Sequence, residues 1–93
     1  MFITLYSYRA KAGQREAIFA LYREWQCLLR DLCPVSTELL SNTQDPVEMI
    51  MLARFEDEDA AWAAVESADY RNWYSQLARL AESGPIVSQY EMI

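Results

Sequence analysis

FEDEDAAWAAVESADYRNWYSQLARLAESG, residues 55–84, has the periodicity of a helix interrupted once, and it holds two of the three tryptophans and two of the six tyrosines. Asp57 is the predicted N-cap, and Glu58 and Asp59 place negative charge in the first turn, where the helix dipole favours it. Ala61, Trp62 and Val65 mark a first apolar stripe. Ser67-Ala68-Asp69 interrupts it, with Ser67 as a second cap. Tyr70, Trp73, Tyr74, Leu77, Leu80 and Ala81 then recur at spacings of three and four. Gly84-Pro85 is expected to end the helix, through a left-handed residue followed by a ring that cannot continue it.

The flanks of this stretch read as strands. Val47–Phe55 has Val47, Met49, Met51, Ala53 and Phe55 on one face, while Ile50 and Leu52 make the middle of the other face apolar as well. Thr43-Gln44-Asp45-Pro46 is a turn, and Val35–Asn42 before it is a more polar strand. Downstream, residues 86–92 form a last strand. At the N-terminus Phe2–Tyr8 is β-branched and aromatic, with Phe2, Thr4, Tyr6 and Tyr8 sharing one face. A helix follows, with Gly13 as its expected N-cap and Ile18, Leu21, Tyr22, Trp25, Leu28, Leu29 and Leu32 as its apolar stripe. It runs to about Leu32, and Pro34 pushes the residue before it out of the helical region.

The order β-α-β-β-α-β is the split βαβ arrangement of ferredoxin-like α+β folds. Right-handed crossovers place the first and third strands in the centre of a four-stranded antiparallel sheet and the second and fourth at its edges. Both helices, the second broken near residues 67–69, cover one face. The other face keeps apolar residues on the central strands, so a homodimer made by packing sheet faces is expected.

At 93 residues the chain reads as one domain, residues 1–93, burying roughly 60–65% of its extended surface. Yet 53% of its residues are apolar and 13% aromatic, generous for that size. The net charge of −6, with one lysine and seven scattered arginines, argues against nucleic acid or an anionic membrane as partner. No apolar run approaches the ~20 residues of a membrane span, no secretory leader is visible, and a cytoplasmic location is expected. Histidine is absent. Cys27 and Cys33 on one helix would lie about 9 Å apart along its axis, too far for a disulfide, and are expected as buried, inert thiols.

ITLYSYRAKAG at the first strand and turn, ARFEDEDAAWAAVESADYRNW at the third strand and broken helix, and QYE in the last strand together resemble the antibiotic biosynthesis monooxygenase-like family of dimeric α+β barrel proteins. The resemblance spans nearly the whole chain. It implies a dimer with a pocket in each subunit between sheet and helices. The family includes cofactor-independent oxygenases of quinols and polyphenols, haem-degrading enzymes and proteins without known activity. The positions matching the haem-degrading pattern are Tyr6, Ala64 and Tyr74. All three differ from that pattern, and a chain without histidine lacks its proximal ligand, so neither haem nor metal is expected.

The oxygenase pattern asks the protein to bind a flat ring, exclude water and stabilise a developing oxyanion. Tyr70 matches a tyrosine of that pattern, with Asn72 and Arg54 as further candidate donors. Tyr6, Trp25, Trp62, Trp73 and Tyr74 are candidate ring-binding residues, with Trp62, Tyr70 and Trp73 expected to line a cavity beside the break in the helix. The same aromatics at helical spacing also suit an ordinary core, and Arg54 also suits a surface ion pair. Two functions therefore stand: a cofactor-independent monooxygenase of a quinol or polyphenol, or a non-catalytic ligand-binding or dimerisation module.

Overall fold

The structure, a computed structural model, describes residues 1–32 and 34–93. Its elements are β1 (Phe2–Ala10), α1 (Arg15–Leu29) followed by a 3₁₀ turn (Arg30–Leu32), β2 (Ser36–Ser41), β3 (Glu48–Phe55), α2 (Glu58–Ala63), α3 (Ala68–Leu80) and β4 (Ala81–Glu91). All strand pairs are antiparallel, in the order β2-β3-β1-β4, so β1 and β3 are central as the crossover rule requires.

Strand alternation divides the residues between two faces. Thr4, Tyr6, Tyr8 and Ala10 of β1 are buried, with Met49, Met51, Ala53 and Phe55 of β3. Register places Tyr6 opposite Met51 on one side and Val87 on the other, and Thr4 opposite Gln89. Trp25 of α1 and Trp73 of α3 both pack edge-on to the Tyr6 ring, so both long helices lie on this face. Ile18, Leu21, Trp25 and Leu29 are the buried stripe of α1.

The two caps read from the sequence form as expected. Asp57 accepts from the Ala60 backbone N–H at 2.8 Å, and Ser67 Oγ from that of Tyr70 at 3.0 Å. Each satisfies a backbone donor that the helix cannot. The first half of the stripe differs from expectation. Ala61 and Ala64 face inward and are buried, whereas Trp62 is 48% exposed. A six-residue helix presents only about one inward turn to the sheet, and the small alanines occupy it.

The end of α3 differs more. Gly84 does not cap the helix: the strand begins at Ala81, directly after Leu80. The exposed edge of β1 takes the backbone first. Lys11 N–H donates to the Leu80 carbonyl, and Ala81 and Ser83 already pair with Ala10 and Arg9 across an irregular register. Gly84 instead serves close approach within the sheet. Its φ is +83°, and a Cβ there would stand 2.9 Å from the Ser7 carbonyl oxygen. At α1 the N-cap is Gln14 rather than Gly13, which supplies a positive φ in the preceding turn. Cys27 is exposed rather than buried, on the outward side of α1, and Cys33 lies outside the described residues.

Candidate functional site

Three aromatic rings close the space between the helices and the centre of the sheet. Trp25 and Trp73 stack with ring centres 5.5 Å apart, and Tyr6 meets each edge-on at 5.4 Å. None exceeds 1% exposure. Trp73 Nε1 donates to the Leu21 carbonyl at 2.8 Å, so its polar tip is satisfied inside the core and ties α3 to α1. Trp25 and Trp73 are therefore close-packed core rather than the wall of a cavity, because each fills the volume the other leaves. The Tyr6 ring belongs to the same cluster.

The open space lies one layer outward, where the break between α2 and α3 spreads the chain away from the β4 edge. Trp62 and Val65 from the first half, Tyr70 and Tyr74 from α3, and Val87 and Gln89 from β4 line a groove of about 380 Å³. That lies at the lower end of the range for small-molecule sites. Trp62 also borders an adjoining hollow of about 230 Å³ that it shares with Gln89, and its Nε1 donates to Glu58 Oε1 at 3.2 Å. Tyr74 is fixed against β4 by donating to the Pro85 carbonyl at 3.0 Å.

The polar tips are what distinguish this groove. Tyr6 donates its hydroxyl hydrogen to Tyr70 Oη at 2.9 Å. Tyr6 is sealed and Tyr70 half-buried, so this direction leaves neither proton stranded. Tyr70 keeps its own O–H for whatever enters the groove. Burial pushes the Tyr6 hydroxyl far above the ordinary tyrosine value, with Tyr70 and Tyr74 adding to it. Burial also raises Tyr70, partly opposed by the bond from Tyr6. Both stay neutral near pH 7 and act as donors, not bases. At the other end, Thr4, buried at 1% exposure, donates through Oγ1 to Gln89 Oε1 at 2.9 Å.

The expected donors do not converge. Tyr70 reaches the groove. Asn72, two residues on, is exposed and outside its lining. Arg54 lies on the opposite face of the sheet, where it donates to Glu38 across to β2 and to Ser36 Oγ at 3.0 Å. Alternation along β3 decides this, because Ala53 and Phe55 take the helix-facing positions. Of the expected ring-binding residues, Trp62 and Tyr74 line the groove, while Tyr6, Trp25 and Trp73 stand behind it. Val65, Val87 and Gln89 join the site without having been singled out from sequence. Gln89 was findable only through register, since pairing with Thr4 places it on the helix-covered face. Among the described residues, no group of three or more His, Cys, Asp or Glu side chains is gathered around a common point, and no helix is long and apolar enough to cross a membrane.

The fold is that of the antibiotic biosynthesis monooxygenase-like proteins. A cofactor-independent oxygenase from Streptomyces nogalater, SnoaB, superposes with a TM-score of 0.84 over 98% of this chain and 91% of its own, at 12% identity. A putative antibiotic biosynthesis monooxygenase from Nitrosomonas europaea gives a TM-score of 0.79 over 100% and 99%, at 18% identity. Another from Bordetella bronchiseptica gives 0.81 over 99% and 96%, at 15% identity. No protein-family profile matches the chain, and no curated protein matches it in sequence.

Proposed function

We propose that the protein is a cofactor-independent monooxygenase acting on a flat quinol or polyphenol bound in the groove between the broken helix and β4. The observation that carries this reading is the Tyr6–Tyr70 pair: a sealed hydroxyl fixes a second hydroxyl whose proton faces an aromatic-lined space. The fold is one on which oxygenases of this kind occur.

The chemistry follows from the lining. Among the described residues no carboxylate lines the groove, and burial raises the Tyr70 hydroxyl, so the substrate's phenol must enter or become ionised through solvent. The electron-rich phenolate passes one electron to O₂, and the two radicals combine to form a ring C–O bond. Where that bond forms at a C–H carbon para to the phenolic oxygen, whose own proton was lost on ionisation, the C–H bond and the O–O bond of the ring-bound peroxide then break together. One oxygen atom becomes the new quinone carbonyl, and the other leaves as water with both hydrogens. Tyr70 stabilises the phenolate oxygen by donating to it, and Trp62 and Tyr74 hold the ring plane. Oxygen uptake with a panel of quinols, corrected for spontaneous oxidation, tests this. Turnover that falls at least tenfold in Tyr70→Phe is expected, and uptake no faster than the uncatalysed rate overturns it.

The absence of a basic group from the lining also favours a second reading, a protein that binds such a ring without turning it over. Tight binding without oxygen uptake selects it.

We propose in addition that two copies pack through the open sheet face. Ile3, Leu5 and Ile50 are only half-buried there, and Leu40, Ile86 and Tyr90 are 45%, 66% and 53% exposed. An exposed apolar patch of this kind supports that reading, and a stable interface buries above about 1,000 Å². Sedimentation of Ile86→Glu should show dissociation that the parent chain does not, and a parent monomer at micromolar concentration overturns the dimer.

A further inference from the structure

We propose that Gln89 is the second hydrogen-bond donor of the groove, held in its donating orientation by Thr4, and that the pair selects flat ligands with oxygen acceptors on opposite sides of the ring, the quinone and quinone-like class. This deepens the oxygenase reading and rests on the same groove.

A glutamine amide has one accepting oxygen and two N–H donors, and free rotation lets it present either end. Here the choice is made from below. Thr4 is buried on the helix-covered face of β1, and its Oγ1 donates to Gln89 Oε1 at 2.9 Å. The amide oxygen is thereby committed to the sheet, and the NH₂ group is left to the groove and the hollow beside it, both of which Gln89 lines. Flipping the amide would let an N–H donate to Thr4 Oγ1 but would leave the sealed threonine O–H without its acceptor, so burial of Thr4 is what sets the orientation.

The arrangement repeats what occurs at the other anchor. Tyr6 and Thr4 occupy successive same-face positions of β1, about 7 Å apart along the strand. Each is sealed and donates outward to a residue that reaches the groove: Tyr6 to Tyr70, and Thr4 to Gln89. In both cases the buried partner uses up an acceptor and leaves a donor pointing at the ligand. The groove thus offers donors at two places, while its remaining walls, Trp62, Val65, Tyr74 and Val87, supply a slot for a ring. A ligand with one accepting oxygen satisfies one donor and leaves the other unpaired. A para-quinone satisfies both, as does the bound ring once the new C–O bond has formed para to its phenolate oxygen, which is where a penalty for unmade hydrogen bonds becomes selectivity.

The test compares two probes of the same outline and charge, anthraquinone-2-sulfonate and anthracene-2-sulfonate, which differ in the two ring carbonyls. The quantity read is the ratio of their dissociation constants. The parent protein should prefer the quinone. Gln89→Leu should cut that preference roughly three- to tenfold. Gln89→Glu, which turns the donor into an acceptor, should cut it further. Thr4→Val should lower it by a smaller factor, and Thr4→Ser should restore it, whereas a merely structural threonine would weaken both probes equally. Equal preference in the parent and both Gln89 variants overturns the inference, as does a parent protein with no preference for the quinone. Oxygen uptake is read separately. Turnover with an unchanged ratio sinks this inference alone, and a changed ratio without turnover sinks only the oxygenase reading.

Discussion

Two sets of aromatic residues meet at Tyr70 in this protein and have opposite fates. Tyr6, Trp25 and Trp73 are sealed, and the indole N–H of Trp73 is spent on the Leu21 carbonyl. Trp62, Tyr70 and Tyr74 stand at the groove with faces to solvent. Residue type does not separate them, since both sets are tryptophan and tyrosine on amphipathic helices or the central strand. What separates them is where the chain breaks. The Ser67 cap restarts the helix so that Trp73 continues the inward stripe, while Trp62 of the shorter half swings outward over alanines that fill its place.

The largest effect should come from truncating each set in turn. Trp73→Ala removes a ring stacked on Trp25 and the indole bond that ties α3 to α1, and should cost about 3–5 kcal/mol in urea unfolding. Trp62→Ala should cost no more than about 1 kcal/mol, because the ring is half exposed, yet weaken ring-ligand binding. Comparable stability losses in the two variants would erase the distinction.

The hydroxyl pair joins the two regions and gives the next effect. Tyr70→Phe leaves the Tyr6 hydroxyl buried with no acceptor, and should destabilise by about 1–3 kcal/mol besides weakening ligand binding. Tyr6→Phe leaves Tyr70 free to reach solvent and should destabilise less. The asymmetry is measured by melting both variants and the double variant, in which the loss should be smaller than the sum of the two.

The smallest effect is the pH dependence. Unfolded tyrosines lose their proton near pH 10, whereas folded Tyr6 keeps its proton because burial raises it, so above that pH the folded state binds more protons. Stability should be level through neutral pH and fall above about pH 10, with Tyr6 contributing at most about 1.4 kcal/mol per pH unit. Tyr8, whose buried hydroxyl has no partner among the described residues and is likewise raised by burial, steepens the fall. Tyr6→Phe should flatten it.

The architecture was legible because period and punctuation agree along the chain. Asp57 and Ser67 announce two helix starts, Pro34 closes the α1 region, and the turn at Thr43–Pro46 separates two strands of different polarity. Gly84 was misread because glycine-proline after an apolar helix signals a cap equally well. Only the free edge of β1, a tertiary feature, shows why the backbone pairs from Ala81, three residues earlier. Of the residues that line the candidate groove, Tyr70, Trp62 and Tyr74 could be named from sequence and Gln89 could not, because it looks like any polar edge-strand residue until register sets it over Thr4. Arg54 followed the opposite course, since a basic residue beside a buried strand suggests an anion site until alternation turns it to Glu38.

The three indole N–H groups provide the most direct test of the division between core and groove. In a ¹H–¹⁵N spectrum titrated with anthraquinone-2-sulfonate, the Trp62 indole and the Gln89 side-chain amide should shift in step with ligand. Those of Trp25 and Trp73 should hold their positions, with the Trp73 proton exchanging slowly with solvent. Saturable shifts at Trp25 and Trp73, with Trp62 and Gln89 unmoved, would place the ligand elsewhere and contradict the account.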